Sequence, residues 1–264
     1  MEKRITSLQN PEVKRVVALT EKARDRKEQR CFIIEGVREV SLAQQSGYAF
    51  EKTFICPEIY KPETDYPVNL SAGELIEVSA DVFNKMAYRA NDGGVVAIAK
   101  QKALNLSDLS LKAEPLVLVL ESLEKPGNLG AILRTCDAAR VDAVLICDGK
   151  TDIYNPNAIR SGVGCLFTNQ IAVSTSEEAI TWLKQNRFSI FTTDLTATHY
   201  YHQVDYSKAS AIVMGSEAWG VSEKWKAAAN AKIKIPMGGK IDSMNVSNSA
   251  AILIYEAMRQ RDFK

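Results

Sequence analysis

Residues 121–135 combine a predicted turn with polar side chains that could bind a ligand or take part in catalysis. A proline and a glycine predict a tight turn, Asn128 is placed to cap a helix, and Gly130 removes a side chain at the helix start. Arg134 follows in the second helical turn. Ordinary helix capping explains this turn, but it leaves Arg134 unexplained in a largely apolar helix.

Two later turns have the same character. Gly215 directly follows an apolar run and precedes Glu217 and Gly220. This pattern opens the backbone to a flat ligand with one carboxylate in reach. The alternative is that Glu217 merely interacts favourably with the N-terminus of the next helix. In the third turn a proline and two glycines force a loop, after which Ser243 or Asn245 can cap the final helix.

Elements of an α/β fold position these turns. From residue 115 onward, apolar runs alternate with helical patterns, which predicts a mainly parallel sheet covered on both faces. The predicted strands are residues 116–120, 143–147, 188–191, 211–214 and 232–235, and the predicted helices are residues 129–140, 155–161, 176–186, 222–229 and 246–261. Since ligands bind beyond the carboxyl ends of parallel strands, we expect the three turns to converge at one edge of the sheet.

The first hundred residues predict a separate, smaller α/β unit. Its predicted strands are residues 31–34, 54–56, 75–78 and 94–99, and its predicted helices begin at Asn10-Pro11 and cover 37–45 and 80–86. Residues 101–114 are polar, end at a proline and form the best linker candidate. We therefore expect a domain at 1–100, a linker at 101–114 and a second domain at 115–264.

Charge is distributed unevenly along the chain. The 33 basic and 32 acidic residues give a formal net charge of +1, which by itself argues mildly against a nucleic-acid partner. Residues 3–30, however, contain nine basic and four acidic side chains, and the first helix is predicted to run into the charged cluster at 22–30. Such a run is either a solvated helix face or a surface suited to phosphates.

Several familiar kinds of site are not expected. The five cysteines are widely spaced without a CxxC pair, so buried, reduced thiols are predicted rather than disulfides or zinc ligands. His199 and His202 lack further ligands at motif spacing, so no metal is expected. The glycines at 162 and 164 are followed by Phe167 where a dinucleotide fingerprint needs a third glycine. No apolar run is long enough for a membrane span, and a cytoplasmic location is expected.

The three turns, in this order, resemble the motifs of the SpoU (TrmH-type) RNA 2′-O-ribose methyltransferases of the SPOUT superfamily. The resemblance extends over residues 116–261 and rests on 126–135, 214–220 and 235–247. The Asn10-Pro11 start, the arginine-rich helix and Phe32-Ile33-Ile34-Glu35-Gly36 resemble the L30e-like substrate-binding domain that many members carry. The resemblance implies a deep trefoil knot (an α/β-knot domain), S-adenosylmethionine as cofactor, an RNA substrate and a homodimer.

The resemblance also assigns residues. It implies that the catalytic group comprises Asn128, Arg134, Glu217 and Asn245, and that the cofactor lies against Leu195, Gly215, Ile235, Met237, Ser243 and Met244. We expect the RNA to be held by Lys14, Arg15, Arg24, Arg26 and Arg30. Family precedent favours Arg134 as the proton acceptor, but a guanidinium keeps its proton. We therefore expect Arg134 to clamp a phosphate and Glu217 to take the proton.

Other functions remain open at this point. Large-subunit ribosomal RNA is the favoured substrate because of the L30e-like front domain, and tRNA is the alternative; an enzyme conferring antibiotic resistance is a special case of the first. A non-catalytic RNA-binding or assembly protein with the same fold is a further alternative. The four polar motif residues argue against it. A nicotinamide oxidoreductase is disfavoured by the missing fingerprint glycine.

Overall fold

The computed structural model describes residues 4–88 and 93–264, which build one five-stranded and one seven-stranded sheet. The strands are β1 (Arg4–Ile5), β2 (Cys31–Glu35), β3 (Phe50–Ile55), β4 (Glu74–Val78), β5 (Val95–Lys100), β6 (Leu116–Glu121), β7 (Ala143–Cys147), β8 (Ile171–Ser174), β9 (Ser189–Thr193), β10 (His199–Tyr200), β11 (Ser210–Met214) and β12 (Ala231–Lys234). The helices are α1 (Pro11–Glu21), α2 (Ala23–Gln29), α3 (Val37–Gln45), α4 (Ala80–Met86), α5 (Pro126–Ala138), α6 (Pro156–Ser161), α7 (Cys165–Thr168), α8 (Ser176–Gln185), α9 (Glu223–Ala228) and α10 (Val246–Gln260).

The chain divides into two units. Unit 1 contains residues 1–103 together with 152–168, and unit 2 contains residues 104–151 and 169–264. The sheet of unit 1 is mixed, with the strand order β1-β4-β3-β5-β2, in which β5 runs antiparallel to both of its neighbours. Its core includes the apolar side of α1, formed by Val13, Val16 and Leu19.

The start of α1 is the predicted one. Asn10 is the N-cap, and its Oδ1 accepts a hydrogen bond from the Glu12 N–H at 2.9 Å. The predicted continuation into the charged cluster is wrong, because the backbone at Lys22 is extended and separates α1 from α2. The second helix ends at Arg30, which adopts the left-handed conformation with φ of 51°.

Arg26 is a structural residue. Its side chain is buried, and its Nε donates a hydrogen bond to Asp152 Oδ2 at 2.6 Å. Its Nη1 donates to the carbonyl oxygens of Leu19 and Thr20, where α1 ends. The expectation that Arg26 binds RNA is therefore wrong. A buried guanidinium with a carboxylate and two carbonyl partners holds the chain together rather than facing a polyanion.

Residues 152–168, which the sequence placed in the second domain, pack in unit 1. Tyr154 lies against Phe32 with ring centroids 4.3 Å apart. Phe167 meets Tyr48 edge-on at 5.1 Å, and Ser46 Oγ donates a hydrogen bond to the Phe167 carbonyl at 2.6 Å. This aromatic cluster makes the segment part of the core of unit 1.

Unit 2 has the predicted parallel sheet. Its strand order is β10-β12-β9-β11-β6-β7-β8, and every neighbouring pair is parallel. Buried apolar residues line β6, β7 and β11 on both faces, as the continuous apolar runs predict. The α/β class with a mainly parallel sheet is thus confirmed.

The stretch at 104–114 is more ordered than a linker. Leu106, Leu109 and Leu111 pack against the core of unit 2, and the Val173 N–H donates a hydrogen bond to the Leu104 carbonyl at 2.8 Å. Because these leucines are spaced among polar residues, the composition of the segment predicted a linker and did not reveal the packing. The chain first passes from unit 1 to unit 2 between residues 103 and 104.

All five cysteines are buried thiols, as expected. Burial raises the pKa of the Cys147 thiol to about 12. Among residues 4–88 and 93–264, no helix has the length and apolar character to cross a membrane. The same described residues contain no cluster of three His, Cys, Asp or Glu side chains that could hold a metal ion.

Candidate functional site

Three loops meet at the carboxyl edge of the parallel sheet of unit 2. They follow β6, β11 and β12, and β6 and β11 are neighbours. Asn128 Nδ2 donates a hydrogen bond to Glu217 Oε1 at 2.5 Å, and Asn245 Nδ2 donates to Asn128 Oδ1 at 3.3 Å. The structure therefore brings together three of the four residues expected to be catalytic.

The series of hydrogen bonds extends beyond Asn245 to Ser247. Ser247 Oγ donates to Asn245 Oδ1 at 2.6 Å, and the Ser247 N–H donates to the same oxygen at 2.9 Å. Asn245 is thus the N-cap of α10, which confirms one of the two predicted caps. In this series each side chain donates to the next, from Ser247 through the carboxamides of Asn245 and Asn128 to the Glu217 carboxylate. Ser247 was not predicted as a member of this group, although capping by Asn245 makes it a neighbour.

Asn128 does not cap its helix, contrary to expectation. The N-cap of α5 is Lys125, and Pro126 occupies the first helical position, where proline costs no hydrogen bond. Asn128 therefore lies in the first turn of α5. Its carboxamide has no capping bond to make and is held between the loops after β11 and β12.

Arg134 stands apart from this hydrogen-bonded group. It is exposed on α5, and within the described part of the chain its guanidinium has neither a hydrogen bond nor an ion pair. A guanidinium that carries five donors and no intramolecular acceptor is available to an external anion. This state fits the expected role of holding a phosphate.

The loop carrying Glu217 is tightly closed. The backbones of Ser216 and Gly220 exchange two hydrogen bonds of 3.1 and 2.9 Å, and Ser216 Oγ accepts the Trp219 N–H at 3.1 Å. A Cβ atom at Gly215 would overlap the backbone of Gly220, so only glycine fits there. The loop presents Glu217 at its tip and leaves the Trp219 side chain 84% exposed.

The residues expected to hold the cofactor lie in the loops after three neighbouring strands. Leu195 follows β9 and is 60% exposed, Gly215 follows β11, and Ile235 follows β12. The others are half-buried or exposed in the loop before α10: Met237, Ser243 and Met244. Ser243 Oγ donates to Asp242 Oδ1 at 3.1 Å and stays outside the Asn128 group. Exposed apolar side chains beside a glycine without room for a side chain fit a flat, partly apolar cofactor such as S-adenosylmethionine.

Glu121 is a buried carboxylate that the sequence did not single out. It ends β6, its Oε2 accepts the Ser222 N–H at 2.7 Å, and its Oε1 accepts Ser176 Oγ at 3.3 Å. The fully buried Trp225 donates its Nε1–H to Ser176 Oγ at 2.9 Å. Glu121 therefore links the starts of α8 and α9 beneath the site. The sequence does contain a signal for this residue, because a glutamate directly follows a continuous apolar run.

The cations expected to hold RNA in unit 1 differ in availability. Arg15 is paired with Glu51 through Nη1 and Oε1 at 2.5 Å, and Arg24 pairs with the glutamate four residues further on. Lys14 and Arg30 are exposed, and their side chains have no polar partner among the described residues. The local excess of positive charge is thus concentrated on fewer free side chains than the sequence suggests.

Comparison with known proteins decides the family. The model of the SpoU rRNA methylase family matches residues 115–255, and that of the MRM3-like substrate binding domain matches residues 10–97. The chain belongs to the SpoU rRNA methylase family. The resemblance of the three turns to this family's motifs is thereby confirmed.

Relatives match different shares of the chain. The 23S rRNA (guanosine(2553)-2′-O)-methyltransferase RlmP of Bacillus subtilis is 28% identical and covers 96% of this chain and 98% of its own length. The tRNA (guanosine(18)-2′-O)-methyltransferase of Thermus thermophilus is 39% identical, over 55% of this chain and 75% of its own. An AdoMet-bound rRNA methyltransferase structure from Sinorhizobium meliloti is 30% identical with a TM-score of 0.88, covering 97% of both chains.

Proposed function

We propose that this SpoU methylase transfers a methyl group from S-adenosylmethionine to a ribose 2′-hydroxyl of RNA. The observation that carries the proposal is the hydrogen-bonded group of Asn128, Glu217 and Asn245 at the carboxyl edge of the sheet. Arg134 adds an unpaired cation on the helix that carries Asn128. Both the family match and the AdoMet-bound relative support this chemistry.

The favoured substrate is 23S ribosomal RNA. RlmP, which acts on 23S rRNA, matches both units of this chain over nearly their full length. The tRNA methyltransferase matches only about half of it, so tRNA is the second candidate. The first unit, which matches a substrate-binding domain, would supply RNA recognition, with Lys14 and Arg30 as its free cations.

Each polar residue has a separate task in this proposal. When bound, S-adenosylmethionine would supply an electrophilic methyl group, and the sulfonium sulfur would leave as a neutral thioether when its bond to that carbon breaks. The hydrogen bond from Asn128 fixes the Glu217 carboxylate through Oε1, and Oε2 accepts the proton of the ribose hydroxyl as that oxygen gains the methyl group. Arg134 binds the adjacent phosphate through its fork of donors. Holding oxygen, carbon and sulfur in line provides much of the rate.

Two further features belong to the same proposal. We expect a homodimer, because Tyr255 of α10 and the nearby Phe263 leave apolar surface exposed in one chain. Sedimentation velocity would report its mass. A cytoplasmic location is supported by the five cysteine thiols, which suit a reducing compartment.

Labelled methyl transfer tests the function directly. The purified chain is incubated with tritiated S-adenosylmethionine and either 23S rRNA or total tRNA, and the methylated ribose is mapped. Label in 23S rRNA is expected, whereas label in tRNA alone would favour the second candidate. A non-catalytic RNA-binding protein would incorporate no label and would fail to bind S-adenosylmethionine in a calorimetric titration.

A further inference from the structure

Unit 1 contains a cavity of about 360 Å³ that the proposed reaction does not use. Ile33, Val37 and Ile159 form an apolar part of its otherwise polar lining, and Gly36 and Gly93 add no side chains. Both glycines have positive φ angles, of 100° and 68°. A Cβ atom at Gly36 would clash with Glu39 Oε2, and one at Gly93 would clash with Val37. The space is therefore maintained by residues that cannot be enlarged without rearrangement.

Arg160 supplies an unsatisfied donor in the lining. Its Nη1 is a buried atom without a hydrogen-bond acceptor among residues 4–88 and 93–264, and its guanidinium lies over the ring of Tyr88 at 5.9 Å from the ring centre. A buried charged donor without an acceptor is costly, so an acceptor from a ligand would remove a penalty. Tyr88 is 53% exposed and adds an aromatic face beside the guanidinium.

Three carboxylates, those of Glu35, Glu39 and Glu63, stand in the same lining. Glu35 and Glu39 both border the cavity, and Glu35 Oε2 accepts the Tyr88 N–H at 2.8 Å. A carboxylate has two oxygens and about four lone-pair positions, so a carboxylate that already accepts one hydrogen bond can also bind a ligand donor. The cavity thus offers a donor and acceptors that one ligand could bridge.

We propose that this cavity binds an unpaired guanine base of the RNA substrate; the inference rests on the proposed function. Guanine presents the acceptors N7 and O6, the usual partners of arginine, and the donors N1–H and N2–H₂, which suit a carboxylate. Its flat ring matches the apolar part of the lining and the Tyr88 face. Adenine reverses the polarity at position 6 and lacks the N2 amino group. The site therefore reads base identity rather than phosphate charge.

Binding of three short RNAs to the full chain tests the inference. Fluorescein-labelled AAAGAAA, AAAAAAA and AAAIAAA, in which I is inosine, are titrated with the protein, and fluorescence anisotropy gives each Kd. The guanine heptamer is expected to bind roughly tenfold more tightly than the adenine heptamer. Inosine lacks only the N2 amino group, so an intermediate Kd is expected.

Variants locate the preference in the cavity. Arg160→Met is expected to abolish it, and Glu39→Gln is expected to remove the difference between guanine and inosine while keeping side-chain shape. Arg24→Met is the matched control, because Arg24 is exposed on α2 and its loss should weaken binding to all three RNAs alike. Circular dichroism establishes that each variant is folded.

Three results would overturn the inference. These are equal binding of guanine and adenine heptamers, no binding of any heptamer at millimolar concentration, and a guanine preference that survives Arg160→Met. The same preparation is assayed for methyl transfer to 23S rRNA. Methyl transfer without a guanine preference refutes only the cavity's role, whereas absence of methyl transfer to any RNA refutes the proposed function.

Discussion

Asn128 is the residue on which the geometry of the site depends most. It donates to Glu217 and accepts from Asn245, so one carboxamide sets the orientation of side chains from two other loops. A residue that both donates and accepts cannot be replaced by a carboxylate of the same shape, because the new group would face Glu217 with like charge.

Asn128→Asp should therefore lower kcat by about a hundredfold or more, the scale associated with losing a positioned catalytic contact. Binding of S-adenosylmethionine should be nearly unchanged, since Asn128 is not among the expected cofactor residues. Steady-state methyl transfer and calorimetry measure the two effects. Asn186→Asp on the surface of unit 2 is the matched control and should leave kcat unchanged. Full activity of Asn128→Asp would contradict the assigned role.

Arg134→Lys tests the phosphate clamp. Lysine keeps the charge but loses the planar fork of donors, so we expect KM for RNA to rise roughly tenfold with the Kd for S-adenosylmethionine unchanged. Steady-state kinetics with 23S rRNA measure this. A near-normal kcat/KM would show that fork geometry does not matter here.

Glu121→Gln tests the buried link beneath the site. A carboxamide has only one acceptor oxygen, so its amino group must face either the Ser222 N–H or the Ser176 hydroxyl. We expect a loss of about 1–3 kcal/mol in the free energy of unfolding, measured in urea. Glu177→Gln, which breaks only an exposed pair with Lys224, should leave the free energy of unfolding nearly unchanged.

At the scale of elements, longer segments with a clear pattern were predictable and short ones were not. The predicted bounds of α3, α4 and β7 are the observed ones, because nine, seven and five patterned residues respectively carry a signal. The strands β1, β8 and β10 have two to four residues, too few to show periodicity, and were missed. Their positions depend on neighbouring strands that pair with them.

The junction of α1 with β3 depends on an ion pair that responds to pH. The hydrogen bond from Arg15 lowers the pKa of Glu51 below its ordinary value near 4.5. A carboxyl group whose pKa is lowered on folding contributes its full stabilisation at pH values above its pKa in the unfolded chain. This contribution is lost as the pH falls through its pKa in the folded chain. Glu51→Gln should therefore cost about 1 kcal/mol at pH 7 and nearly nothing in strong acid.

Urea titrations at several pH values measure this difference. Glu28→Gln is the control, because the Arg24–Glu28 pair is exposed on α2 and should contribute little at any pH. A constant difference between the native chain and Glu51→Gln from neutral pH to strong acid would contradict the prediction.

At the scale of the whole molecule, chain order and spatial order differ. The sequence predicted the site because the ends of parallel strands must meet at one edge. It could not predict that 152–168 belongs to unit 1, since this depends on Asp152 meeting Arg26 and on aromatic packing between distant segments. A charge count likewise cannot reveal which arginine is buried. The trefoil knot and the homodimer stay predictions from the family resemblance.

Deleting residues 1–100 is consequently not a simple removal of one unit. The deletion would leave Asp152 without Arg26, and Tyr154 and Phe167 without their aromatic partners. We expect the truncated chain to aggregate rather than to retain cofactor binding. Size-exclusion chromatography and calorimetry with S-adenosylmethionine check this. A monodisperse fragment that binds the cofactor normally would show that unit 2 folds without unit 1.

The contrast between two indole rings in unit 2 has a practical consequence. Trp225 is fully buried, whereas Trp219 projects from the closed loop beside Glu217. Collisional quenchers such as iodide should reach Trp219 first and the half-buried Trp182 less readily, so the most quenchable part of the intrinsic emission reports on this loop. A ligand that covers the loop would shield that emission while leaving Trp225 unaffected. The protein thus carries its own optical reporter, which needs no label.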